Sequence, residues 1–300
     1  MNAVTEMLDC QHPIILGAMG VICNPELVAA VSEAGGYGLL ATAFARDAEV
    51  LRGQIRETKK LTNNPFGANI FAMNPLVPEL IAILAEEGVR AVTVSGGSPR
   101  KIISMLHEKD MKAIVVVPTA DIAKKAEASG ADAIVAEGSE SGGMQGFKGA
   151  STLVLVPAVA DRVKIPVIAA GGIGDSRGYK AAFALGAQGV QIGTRFIVTK
   201  ECIAHNNFKK TVVESQETGT ELVNLGRFQI RALQTKLVEG LIQGTENTDK
   251  VFSDQAVEAS WLKGDTGAGI LPAGQVSGLI SGVPTVRELI DEMVRTFPVV

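Results

Sequence analysis

Short runs of branched apolar residues alternate with amphipathic stretches from the start of this chain. Pro13–Leu16, Tyr37–Thr42, Phe66–Phe71, Ala91–Ser95, Ala113–Val117, Ala133–Ala136, Val167–Ala170 and Gly189–Ile192 read as eight strands. They are mostly apolar on both faces, as expected of a parallel sheet covered by helices. Helical patterns fill the gaps between them: Asn24–Ala34, Asp47–Leu61, Val77–Glu87, Pro99–Lys109, Asp121–Ser129, Thr152–Arg162 and Ser176–Ala187. Asn24 followed by Pro25 is a helix start, a capping amide with proline at the first helical position. The units recur every roughly 22–25 residues, close to the minimum for a βα repeat. Eight of them predict a closed (β/α)8 TIM barrel. The first strand is not followed by the G-x-G-x-x-G of a dinucleotide-binding open sheet.

Beyond Thr194 the alternation stops. Phe208–Ser215, Val223–Gly240 and Thr248–Trp261 read as helices, which predicts a small inserted helical subdomain over residues 200–265. The barrel then occupies residues 1–199, and residues 266–300 return to it. The stretch Lys263–Gln275, with four glycines and Pro272, is a hinge or a ligand-touching loop.

Composition narrows the function. A chain of 300 residues with 46% hydrophobic content buries a large core. A net charge of −4 and the lack of any Lys/Arg run argue against a nucleic-acid partner. Cys10, Cys23 and Cys202 are scattered, without C-x-x-C spacing, which suits a reducing compartment and no structural zinc. The first eleven residues do not read as a signal peptide, and no apolar run is long enough for a membrane span. A soluble, cytoplasmic protein without membrane partners is expected; a homodimer is compatible with it.

Unusual residues gather where the strands end. Pro166–Gly172 and Gly189–Thr194 are apolar runs closing in glycine, one βα unit apart, with Gly171, Gly172, Gly193 and Thr194 at their tips. In a βα barrel the loops after the last two strands build a phosphate site from backbone N–H groups. Gly17-Ala18-Met19 follows the first strand, Asn69 sits inside the third, and Ser95-Gly96 closes the fourth. Glu137 closes the sixth, ahead of Ser141-Gly142-Gly143-Met144. Taken singly, each glycine is a turn, each amide a core hydrogen-bonding group and Glu137 a helix cap. Gathered at one rim they outline a ligand site, with Asn69 and Gln191 placed to bind the edge of a planar heterocycle. There is no metal-spaced cluster, no G-x-S-x-G elbow and no lysine on the seventh strand. A phosphate grip and a ring site with little acid–base equipment point to a cofactor enzyme, and FMN suits the description.

At these residues the chain resembles the nitronate monooxygenase (2-nitropropane dioxygenase) superfamily, which includes FMN-dependent enoyl-acyl-carrier-protein reductases. The shared stretches are Leu61-Thr62, Pro65–Asn69, Ala136-Glu137-Gly138, Ser141–Gly143, Pro166–Gly172, Gly193–Phe196 and Ala273–Gln275. The resemblance implies that Gly171, Gly172, Gly193 and Thr194 hold the FMN phosphate, that Met19 and Asn69 flank the ring, and that Gln191 and Gln275 line the flavin. Gly17, Ala18, Ser95, Gly96, Glu137, Gly142 and Gly143 border the pocket. The chain departs from the pattern at one position. Where the family usually carries a histidine, the general base of nitronate oxidation, this sequence has Met144, and no histidine occurs in Ser139–Ser151. A thioether takes no proton near neutral pH. Met144, Phe147 and His205 are therefore the candidate substrate-pocket residues, with no catalytic group assigned. Hydride passage from NAD(P)H through FMN to an electron-poor acceptor such as an enoyl thioester is the expected reaction. The alternatives are a nitronate monooxygenase with a displaced base and a non-catalytic FMN-binding protein.

Overall fold

The computed structural model describes residues 2–295 except 147–148, 227 and 249–250. Its main sheet holds eight parallel strands: β1 (Ile14–Leu16), β2 (Gly38–Ala41), β3 (Phe66–Phe71), β4 (Ala91–Ser95), β5 (Lys112–Val117), β6 (Ala133–Glu137), β8 (Val167–Ala170) and β9 (Gly189–Ile192). The order runs from β2 through β3, β4, β5, β6, β8 and β9 to β1. A single bridge from Ile15 to Tyr37 closes the ring. These are the eight strands expected from the apolar runs, and the fold is a TIM-barrel-like (β/α)8 barrel.

Alternation along each strand sorts the two cores. Ile14, Leu16, Leu40, Ile70, Val92, Val94, Val115 and Val190 point outward and are buried under the helices. Ile15, Leu39, Ala91, Ile114, Ala133, Val135 and Ile168 fill the interior, where Val4 and Leu8 of the helix Ala3–Leu8 join them. One step further along the strands the inward set becomes Ala41, Asn69, Ser95, Val116, Glu137, Ala170 and Gln191. Polar side chains therefore gather at the C-terminal mouth, where barrel enzymes keep their sites.

The segment after the barrel differs from expectation. Val223–Gly240 is not one helix. It contributes an antiparallel hairpin, β10 (Thr220–Asn224) with β11 (Gln229–Leu233), and then the helix Lys236–Gln243. Asn224 Oδ1 accepts the Gly226 N–H at 2.9 Å, and Gly226 has φ +84°, which turns the chain back. Val223, Ile230 and Ala232 then bury themselves with Val238, Leu241 and Ile270 in a small separate core. A third strand, β7 (Gly143–Gln145), comes from the loop after β6 and pairs with β11. Helices do form at Asn206–Val213 and Asp254–Val257, the latter running on as the π-helical turn Glu258–Leu262. The helix Val286–Val294 packs back on the barrel helices Pro25–Glu33 and Ser176–Ala184. No helix among the described residues is long and apolar enough to cross a membrane.

Candidate active site

A cavity of about 470 Å³ opens at the C-terminal mouth, within the size range of small-molecule sites. Its floor is the polar inward layer. Register places Glu137 beside Ala170, Ala170 beside Gln191 and Gln191 beside Ile15, so Glu137 and Gln191 share one row across β6, β8, β9 and β1. Asn69 is buried and already engaged: its Nδ2 donates to Thr93 Oγ1 at 2.9 Å and its Oδ1 accepts from Ser95 Oγ at 3.1 Å. Gln191 differs. Its Oε1 is buried without any hydrogen-bond partner. Buried acceptors are nearly always satisfied in folded proteins, so this atom marks a place for a ligand N–H or O–H.

The β8 and β9 ends form the tightest wall. Gly171 and Gly172 take φ +99° and +71°, a left-handed pair that side chains rarely adopt. Gly17 lies so close to the β9 end that an added Cβ would stand 3.1 Å from Gly193 Cα. Gly193 itself starts the short helix Thr194–Ile197. Its missing side chain faces the cavity, where the nearest atom to an added Cβ would be Met19 Sδ at 3.7 Å. Successive glycine turns at a helix start suit an anion held by backbone amides. An orphaned acceptor beside a side-chain-free cradle fits a phosphorylated heterocycle, and FMN is such a molecule.

The loop after β6 closes a third side. Glu140 receives the Thr152 N–H at 2.8 Å and so caps the helix Thr152–Ala160. Gly142 packs against Ala273 and Gly274, and the Gln275 N–H donates to the Glu140 carbonyl at 3.0 Å. Arg231 of β11 donates from Nε to the Ser139 carbonyl at 2.8 Å, fastening the hairpin to this loop. Among the described cavity-lining residues only Glu137 and Glu140 are ionisable. Enclosure by protein pushes the Glu137 carboxyl up to about 7, against the opposing pull of the Ser141 hydroxyl. No group of three or more metal-binding side chains gathers among the described residues.

Every residue implied for cofactor binding lines this cavity except Gln275, whose neighbours Gly274 and Val276 do. Met144 also lines it, held in β7. His205 does not. It caps the helix Asn206–Val213, its Nδ1 accepting the Asn207 N–H at 3.1 Å. Phe147 and Lys148 lie outside the described residues. Sequence reasoning missed the aromatic side of the cavity, formed by Phe44, Phe208, Phe228, Phe252 and Trp261. Their only signal in the sequence was aromatic character in a chain with 4% aromatic residues.

Comparison with known proteins places the chain. The model of the nitronate monooxygenase family matches residues 1–296. A 5-hydroxy-7a-methyl-1-oxo-octahydro-1H-indene-4-carboxyl-CoA dehydrogenase of Rhodococcus jostii is 34% identical over 98% of this chain and 94% of its own length. A probable nitronate monooxygenase of Staphylococcus aureus is 33% identical over 80% of this chain and 78% of its own. Among solved structures, FabK from Thermotoga maritima superposes with a TM-score of 0.92 at 38% identity, covering 98% of this chain and 95% of that one. A nitroalkane oxidase from Streptomyces ansochromogenes does so with a TM-score of 0.85 at 27% identity, covering 97% and 96%. With this fold, this cavity and these relatives, the chain belongs to the nitronate monooxygenase family and is an FMN-dependent oxidoreductase.

Proposed function

We propose that this enzyme uses NAD(P)H to reduce an electron-poor acceptor, the α,β-double bond of an enoyl thioester. The observation that carries the reading is Met144. It stands where the family resemblance implies a histidine base, it lines the cavity, and its side chain packs on the apolar core of the hairpin. Neither glutamate of the cavity stands at that position: Glu140 is committed to capping a helix, and Glu137 ends β6 at the barrel floor. Abstraction of an acidic α-proton needs a basic side chain within hydrogen-bond reach, whereas hydride delivery needs stacking and a dry pocket. Relatives at 34% and 31% identity bear carboxyl-CoA substrates in their names, which favours a thioester here.

In this reading Gly171, Gly172, Gly193 and Thr194 hold the FMN phosphate through backbone amides. Gln191 accepts a hydrogen bond from the cofactor, while Met19 and Asn69 flank it. Bound FMN supplies the electron-transfer chemistry. Gly17, Ala18, Ser95, Gly96, Glu137, Gly142 and Gly143 shape the pocket and exclude water from it. NADH or NADPH docks transiently, since the fold carries no G-x-G-x-x-G after β1.

Anaerobic addition of NADH or NADPH to the purified yellow protein tests the proposal. Loss of the visible flavin absorbance, restored by an enoyl thioester, is expected. The family name and the nitroalkane oxidase neighbour favour one rival, oxidation of alkyl nitronates by O2. Oxygen uptake with a nitronate, and no bleaching by either nicotinamide, would establish that rival instead.

A further inference from the structure

We infer that Phe44, Phe252 and Trp261 form a subsite for the acyl part of the acceptor, and that this part carries an apolar ring. That the occupant is an acyl group rests on the proposed thioester substrate; the ring preference rests on the wall alone. Phe44 follows β2, while Phe252 and Trp261 come from the segment inserted after the barrel. Their centroids lie 5.6 Å (Phe44–Phe252), 6.0 Å (Phe44–Trp261) and 6.1 Å (Phe252–Trp261) apart, at interplanar angles of 55°, 81° and 60°. Each ring thus touches the other two, and all three border the cavity. Phe208 backs Trp261 at 6.3 Å.

The wall offers the cavity no hydrogen bond. The indole N–H of Trp261 is turned away and donates to the Ile270 carbonyl at 2.8 Å. The polar side chains of the lining belong to the barrel floor, to Thr194 and to the loop after β6 (Glu140, Ser141 and Gln145), so a ligand that fills the whole cavity presents apolar surface at the aromatic wall. The wall favours a ring over a flexible chain, because a rigid ring loses less conformational freedom on binding than a rotamer-rich chain of the same carbon count. Trp261 sits in the π-helical turn Glu258–Leu262, a backbone form that recurs at functional sites. Arg46 grips Asp254 at 3.0 Å across the outside of the wall, tying the Phe44 loop to the helix Asp254–Val257.

Trp261 is the chain's single tryptophan, so its emission reports on the wall directly. The FMN-loaded protein is titrated with cyclohexanecarboxyl and heptanoyl N-acetylcysteamine thioesters, and with the two matching carboxamides. The ring compound of each pair should perturb Trp261 emission with a Kd at least fivefold lower than the linear one. In Phe252→Leu and Phe44→Leu that preference should fall below twofold, and both variants stay apolar enough to fold. Ring preference among the carboxamides with no gain for the thioesters keeps the subsite and removes the thioester reading. Emission that does not change, no ring preference in either series, or a preference untouched in both variants overturns the subsite.

Discussion

Met144 lies opposite Ile230 in the antiparallel pairing of β7 with β11. The position where the family resemblance puts a proton-abstracting histidine is thereby stitched into an apolar seam between the barrel mouth and the hairpin. Ile230 is fully buried, and Met144 packs on the cluster of Val223, Ile230 and Val238. A polarizable thioether fills such a seam without needing a hydrogen-bond partner. An imidazole there has a titratable nitrogen to offer the cavity.

Met144→His should therefore put a base at a position that lacks one. A positioned general base is worth roughly 10²–10⁴-fold, and we expect oxygen consumption with an alkyl nitronate to rise at least tenfold. An oxygen-electrode assay decides it. An unchanged rate would mean that proton abstraction is governed by another group or another geometry.

Gly193→Val tests the phosphate cradle with little disturbance to the fold. An added Cβ there approaches nothing nearer than the Met19 thioether at 3.7 Å, so the barrel should fold while branched methyls invade the cavity. The purified variant should be colourless, with an unchanged circular dichroism spectrum. Gly171→Val should be colourless and less stable as well. Its φ of +99° and a Cβ position 2.9 Å from the Gly138 carbonyl strain the turn itself. Yellow protein from both variants would locate the phosphate elsewhere.

Glu137 makes stability depend on pH. Its carboxyl moves from the ordinary 4.5 up to about 7 on folding, so the folded chain holds a proton that the unfolded chain has released. The associated stability is complete below pH 4.5, declines as pH rises through the window, and has gone above about 7. The span corresponds to roughly 3 kcal/mol. Urea melts of the flavin-free protein at pH 5, 6, 7 and 8 should show this decline, and Glu137→Gln should flatten it. Equal slopes in the two proteins would show that the carboxyl titrates normally.

Much of the barrel was legible in the chain because each βα unit announces itself locally. Apolar runs of strand length fixed Phe66–Phe71 and Ala91–Ser95 to the residue. Position at or near the strand ends then gathered Asn69, Glu137 and Gln191 at one rim without any knowledge of tertiary structure. The same locality failed at Val223–Gly240. Its first half is a strand because β11 finds partners in β10 and β7, the latter about 85 residues earlier, and strand pairing at that distance leaves no local trace.

By itself, then, the sequence determined which residues carry the eight barrel strands and where glycine turns gather at their ends. Backbone conformation and side-chain alternation are local properties. Tertiary structure alone decided that Phe44, Phe252 and Trp261 share one wall, that His205 serves as a helix cap, and that the Glu137 carboxyl is enclosed. Those outcomes depend on packing between segments far apart in the chain, and on the loss of water that packing brings.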